Sequence, residues 1–244
     1  MFSGAPSIPD IPGDYQHRAL HHGPQSQRRW HRQKLEIVLE AAARRPFDSA
    51  LDAGCGSAIV SAQLARAYPD AEVLGLDLSR GAVEFCRRTY GAQRNLAFLT
   101  ADLTQPDLKL DRAFDFIFST EVIEHLQPDQ VAQYLRNLHR FGRPGCRYFL
   151  STPDYSTCWP AVEWTLDLLR LTPRMRGHQH LTLFTPGRLR RALEHAGFRL
   201  DGMYGFCGFG PLLGSVSSAL ATRLESWERR RGRGLLIGCE FSKC

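Results

Sequence analysis

The sequence contains no C-x-x-C pair and no cysteine–histidine spacing of the structural zinc type. Its seven cysteines are odd in number and scattered from Cys55 to Cys244. That excludes a disulfide framework and predicts reduced thiols in a cytoplasmic protein. The first 14 residues are rich in Pro, Gly and Ser and lack an apolar core, so no signal peptide is expected. Residues Gly202 to Thr222 carry no charge and precede Arg223 and the basic run Arg229–Arg231, but Gly205, Gly208, Gly210, Pro211 and Gly214 interrupt them, which argues against a membrane-crossing helix; they read as a buried loop and a helix under the active site, the alternative being contact with a membrane interface. There is no internal repeat. Basic residues are dispersed and not interleaved with aromatics, so no nucleic-acid partner is expected. The formal charge of +6 is read as a general arginine richness.

What is present is enough apolar residue, 43% of 244, for one α/β domain with an elaboration. Residues 1–25 have no periodicity and read as a flexible lead, turning helical near Tyr15. From Ser26 to Arg44 apolar residues recur at helical spacing, with Arg28, Arg29, Arg32 and Lys34 on other faces. Strands are expected at 50–53, 72–76, 96–99, 114–119 and 147–150, with helices between them and a turn at Gly142–Gly145. Thr185 and Pro186 open a helix that Gly197 closes, and strands at 198–203 and 235–241 form an antiparallel pair at the sheet edge. The fold class is therefore α/β: a Rossmann-like, doubly wound, seven-stranded sheet, mostly parallel with an antiparallel last strand and helices on both faces. Ligands of such sheets sit at the C-terminal strand ends.

The first of those ends is Leu51-Asp52-Ala53-Gly54-Cys55-Gly56-Ser57-Ala58. A strand, a glycine turn and a helix start make a cofactor cradle. Asp77, at the end of the second strand, can accept from both ribose hydroxyls, or serve the start of the next helix. To this point a nicotinamide dinucleotide and S-adenosylmethionine (SAM) fit almost equally. Three observations favour SAM. Asp52 before the glycines would repel a pyrophosphate but suits a cationic amino-acid end. Asp102 after the third strand can accept from an adenine amino group. The fourth strand continues into Thr120-Glu121-Val122-Ile123-Glu124-His125-Leu126. No Asn-Pro-Pro-Tyr or Asp-Pro-Pro-Tyr follows it.

With these motifs the chain resembles the class I SAM-dependent methyltransferases, from about residue 35 to 154 in full and more loosely to 241. The Glu-Val-Ile-Glu-His-Leu stretch is similar to that of ubiquinone-biosynthesis-type O-methyltransferases. Ala58 departs from the pattern, where many members place a third glycine. The resemblance implies that Gly54 and Gly56 approach the methionine part of SAM, with Asp52 near its amino end. Asp77 and Leu78 would hold the ribose side, Asp102 the adenine amino group, and Leu103 the ring. Thr120 would offer backbone to the amino-acid end, and Arg28 or Arg29 would reach the carboxylate.

The expected activity is methyl transfer to a small-molecule acceptor, foremost at oxygen. His125 with Glu124 would supply the base, the alternative being a helix-start histidine packed on the sheet. A divalent cation is the second reading, with Glu121, Glu124, His125 and His178 or His180 as candidate ligands. The domain is expected over 26–244, with an insert at about 154–184 covering the acceptor. Tyr155, Trp159, Trp164 and Phe184 suggest an apolar or aromatic one. Methylation of a lipid-linked acceptor at a membrane surface, and a catalytically silent SAM-binding module, are the alternatives.

Overall fold

The computed structural model describes residues 12–168 and 179–243. His178 lies outside these residues. The elements run α1 (Tyr15–His21), α2 (Gln25–Ala43), β1 (Ser49–Ala53), α3 (Ile59–Ala67), β2 (Glu72–Asp77), α4 (Arg80–Tyr90), β3 (Leu96–Thr100) and β4 (Phe114–Thr120). A 3-10 turn (Ile123–His125), α5 (Pro128–Phe141), β5 (Gly142–Pro153), α6 (Trp159–Leu168), α7 (Pro186–His195), β6 (Phe198–Phe206), α8 (Gly210–Leu213), α9 (Ser218–Arg230) and β7 (Leu236–Lys243) follow.

The seven strands form one sheet in the order β3-β2-β1-β4-β5-β7-β6. β1 to β5 pair in parallel, and β7 lies antiparallel between β5 and β6. Side chains alternate along each strand, so the sheet buries two apolar clusters. Ala50, Phe116, Phe118 and Phe149 join residues of α2, α3 and α4 in one. Leu51, Ile117, Tyr148 and Leu150 join those of α5 and α7 in the other. Helix starts follow local chemistry. Ser79 Oγ accepts from Ala82 N–H, Gln127 and Gln130 form a reciprocal cap before Pro128, and Thr185 Oγ1 accepts from Arg188 N–H.

Two local expectations change. The glycine turn at 142–145 lies inside β5, because Gly142 already pairs with Phe114 and the register then jumps to Phe116 with Arg147. The extra residues are a bulge in a longer strand, with Gly145 at φ +80°. Lys34, expected on a solvent face of α2, is buried, because Glu121 receives its ammonium. The helix expected near Tyr15 is α1, and Gly13 just before it leaves no room for a Cβ against Gly81 and Ala82. No helix among the described residues is long and apolar enough to cross a membrane.

Candidate cofactor and acceptor site

The fully buried β1 ends in a turn that only small or left-handed residues can make. Gly54 has φ +93° and Gly56 +51°, and Ala58, at φ 55°, opens α3. Gly54 and Cys55 N–H groups both donate to Leu76 O, at 2.8 Å each, which folds the turn back over β2. A Cβ on Gly54 would stand 2.3 Å from Val122 Cγ2, so the residues after β4 lie directly on the turn. A Cβ on Gly56 would stand 2.8 Å from Gln16 Oε1, so α1 covers its other side. His17 N–H donates to Ser57 Oγ (2.9 Å) and pins that helix.

Asp77 joins the two cofactor-side turns. Its Oδ2 accepts from Gly56 N–H (2.7 Å) and its Oδ1 from Ser79 N–H (2.8 Å). Burial raises its pKa, against the lowering effect of these bonds. Leu78 beside it is 49% exposed. Asp102 is held by Thr104 and Gln105, whose bonds outweigh partial burial and leave its pKa below the ordinary carboxylate range. Leu103 is buried in the same apolar cluster as Ile117 and Leu135, and its carbonyl accepts from Asn137 Nδ2. Its side chain is thus committed to the core.

Asp52 turns inward. Its Oδ2 accepts from Ser61 Oγ (2.5 Å), and Oδ1 has no partner among the described residues. Burial pushes its pKa up to about 7, opposed by the Ser61 bond. Arg29 does not face this site. It donates to Glu225 Oε2 (2.9 Å) and Ser218 Oγ (2.5 Å), because α9 packs on α2 and supplies both acceptors. The cation that does approach is Lys34, 2.8 Å from Glu121 Oε2.

The turn after β4 is strained at Glu121 (φ 56°) and then tightens into the 3-10 turn. Thr120 pairs with Ser151 of β5, and Glu121 N–H donates to Ser151 O. Glu124 is fully buried. Its Oε2 accepts from Thr152 Oγ1 (3.0 Å), Oε1 has no partner among the described residues, and burial pushes its pKa up to about 7. The returning end of the insert clamps this turn, as Leu181 and Thr182 N–H donate to Glu124 O. His125 Nδ1 lies 2.9 Å from Gln179 O. The residue as a whole is exposed, while the protein packed around the imidazole lowers its pKa.

His180, buried, stands beside His125 with ring centroids 5.1 Å apart. Its Nδ1 is 2.8 Å from both Tyr155 Oη and Glu163 Oε1. Trp159 stacks on His180 and on Trp30 of α2. Ligand atoms of Glu124, His125 and His180 lie within 4.8 Å of one another. Glu121, whose carboxylate goes to Lys34, is not in that group. Sequence reading missed Lys34, Glu163, Gln16 and Ser61. A charged residue on an otherwise apolar helix face was the available signal for Lys34 and Glu163. Beyond the loop that joins Thr152 to Trp159 lies a cavity of about 710 Å³, lined by Cys158, Arg190, Met203, Tyr204, Phe209 and Trp227 among others.

Residues 50–145 match the model of the methyltransferase domain family. A ubiquinone biosynthesis O-methyltransferase of Methylococcus capsulatus is 34% identical over 174 residues, 68% of this chain and 68% of its own. The chain belongs to the class I SAM-dependent methyltransferases. A malonyl-[acyl-carrier protein] O-methyltransferase of Legionella pneumophila is 33% identical over 119 residues, covering 46% of this methyltransferase and 41% of its own length. The crystal structure of magnesium protoporphyrin IX methyltransferase from Synechocystis PCC 6803, with bound S-adenosylhomocysteine, superposes with TM-score 0.62 at 20% identity, covering 93% and 92% of the two chains. That likeness concerns the fold. The cofactor of the family is SAM.

Proposed function

We propose that this methyltransferase transfers a methyl group to an oxygen of a small, apolar or aromatic acceptor. The observation that carries the reading is His125, an exposed residue whose imidazole is pinned at Nδ1 by Gln179 O, next to Glu124 and one short turn from the glycine cradle. A hydroxyl acceptor must lose a proton as it is methylated, and a neutral imidazole takes it. A pKa below the usual imidazole value keeps His125 neutral at neutral pH. Relatives named as O-methyltransferases are consistent with this chemistry.

SAM, when bound, supplies a sulfonium-activated methyl group. Asp77 and Asp102 would receive its ribose and adenine, and the bare backbone of Gly54 and Gly56 its methionine part. Asp52 Oδ1 and Glu121 Oε1, both buried and without a partner among the described residues, and the Thr120 backbone would receive the ammonium group. Lys34, in place of Arg29, is the nearby cation for the carboxylate. The insert from Asp154 onward, with Trp159 on His180, would cover the acceptor and exclude water.

Calorimetric titration with SAM tests the cofactor half. Asp77→Ala is expected to raise Kd by roughly tenfold or more, about 1.4 kcal/mol; unchanged affinity would remove Asp77 from the site. Labelled SAM with cell extracts supplies an acceptor. On that acceptor His125→Ala should lower the methyl-transfer rate by roughly 10² or more while SAM affinity holds. A second reading rests on the convergence of Glu124, His125 and His180 around the unpartnered Glu124 Oε1, which would hold a divalent cation beside the acceptor. Chelator-treated protein that keeps full activity would dismiss it, whereas loss restored by one added cation would establish it.

A further inference from the structure

Helix α9 presents two unlike faces. Its inner face is committed: Ala221 and Glu228 are buried, Glu225 takes Arg29, and Glu228 accepts from the N–H groups of Phe209 and Gly210. Its outer face carries Leu220, Arg223, Trp227 and Arg230 at three- and four-residue spacing, so all four project to one side. Leu220 is 55% exposed and Trp227 42%. The loop before the helix adds Val216, 83% exposed, and α8 adds Leu212 and Leu213. This is the uncharged run whose glycines rule out a spanning helix, and the structure lays it on the surface.

Several large apolar side chains exposed together on one short segment are unusual on a soluble surface, and the charges of the outer face of α9 are of one sign. Arg223, Arg230 and Arg231 make no salt bridge among the described residues. Arg231 instead lies 5.9 Å over the Trp227 ring. The carboxylates of the helix, Glu225 and Glu228, are turned inward and paired. A short helix with leucine and tryptophan at one level, arginines beside them and acids on the far side has the layout of an interfacial helix. The occupant that matches both halves is a lipid surface with anionic headgroups: acyl boundary for Val216 and Leu220, interface for Trp227, phosphates for the arginines.

We infer that the α8–α9 segment docks this protein on an anionic membrane surface. Phe209 and Trp227 belong both to the exposed patch and to the lining of the 710 Å³ cavity, so docking sets the cavity mouth at the lipid interface. The docking stands on the patch alone and does not depend on which acceptor is methylated.

Co-sedimentation with phosphatidylcholine vesicles, with and without phosphatidylglycerol, reads it directly. The full chain should partition onto the anionic vesicles, at least about tenfold more than onto the neutral ones, and lose that preference in high salt. Val216→Asp with Leu220→Asp, and separately Arg223→Glu with Arg230→Glu, should each lower partitioning roughly tenfold or more. All four positions are exposed, so thermal melting and SAM affinity should match the parent, which separates this test from that of the methyltransfer reading. No vesicle binding by the parent, or binding by both variants equal to that of the parent, overturns the inference. So does a dimer, seen by sedimentation equilibrium without lipid, that Val216→Asp with Leu220→Asp dissociates while vesicles bind neither form. The patch would then be a contact between copies.

Discussion

Asp52 and Glu124 are carboxyl groups with almost no surface in water, and each has one oxygen without a partner among the described residues. Burial raises both to about 7, well above an unfolded carboxyl group. Between the ordinary carboxylate range and pH 7 the folded chain therefore holds more protons than the unfolded one, and stability falls as pH rises through that window. Asp52→Asn keeps an acceptor for Ser61 and removes the charge. Thermal melts at pH 5.5 and 8 should show a smaller difference for Asp52→Asn than for the parent, with the gain concentrated at pH 8. An equal difference in both would mean that Asp52 does not titrate in this range. At this scale the sequence was legible for position along the strands: Asp77 stands at the end of β2, and His125 in the turn that follows β4. It was not legible where a partner comes from a distant helix. Arg29 is drawn to Glu225, 196 positions away, and His180 to Glu163 of α6. No local pattern encodes either choice.

At the scale of elements, the cradle depends on the approach of two neighbours to the glycine turn. Gly54 has both a positive φ and no space for a methyl group beside Val122. Gly54→Ala is expected to cost about 1–3 kcal/mol of stability, visible as a lower Tm, and to abolish SAM binding. Retained binding with an unchanged Tm would show that Val122 and the turn can yield. On the other side, α1 brings Gln16 over Gly56. Gln16→Ala should change SAM affinity while leaving Tm within a degree or so, because the side chain lies on the turn and not in the core. Strands and helices from residue 50 to 141 were readable because period-two and period-three-to-four patterns do not compete there. The role of α1 was not, since seven residues with one buried alanine give no periodic signal. The length of β5 was hidden by a Gly-Pro-Gly bulge that reads locally as a turn.

For the whole molecule, the sheet order makes β7 indispensable. It fills the gap between β5 and β6, and its Ile237, Cys239 and Phe241 enter the apolar cluster of α5 and α7. Ending the chain after Gly234 should therefore leave two strand edges and one helical layer uncovered. The product should be insoluble or lack a cooperative melt; a soluble, cooperatively folding product would mean that β6 pairs with β5 directly. The doubly wound class and the antiparallel pair could be read from the sequence, whereas the position of β7 inside the sheet depends on pairings no single strand specifies.

One arrangement also makes the molecule its own instrument. Trp30 of α2, Trp159 of α6 and His180 of the returning insert are stacked in a row. The three come from α2, from α6 and from the segment that returns to the 3-10 turn. Indole emission depends on the distance and charge of a neighbouring imidazole, so the intrinsic fluorescence of this stack gauges how closely α6 sits on α2. Its intensity should change when SAM or acceptor alters that spacing, without any label attached to the protein.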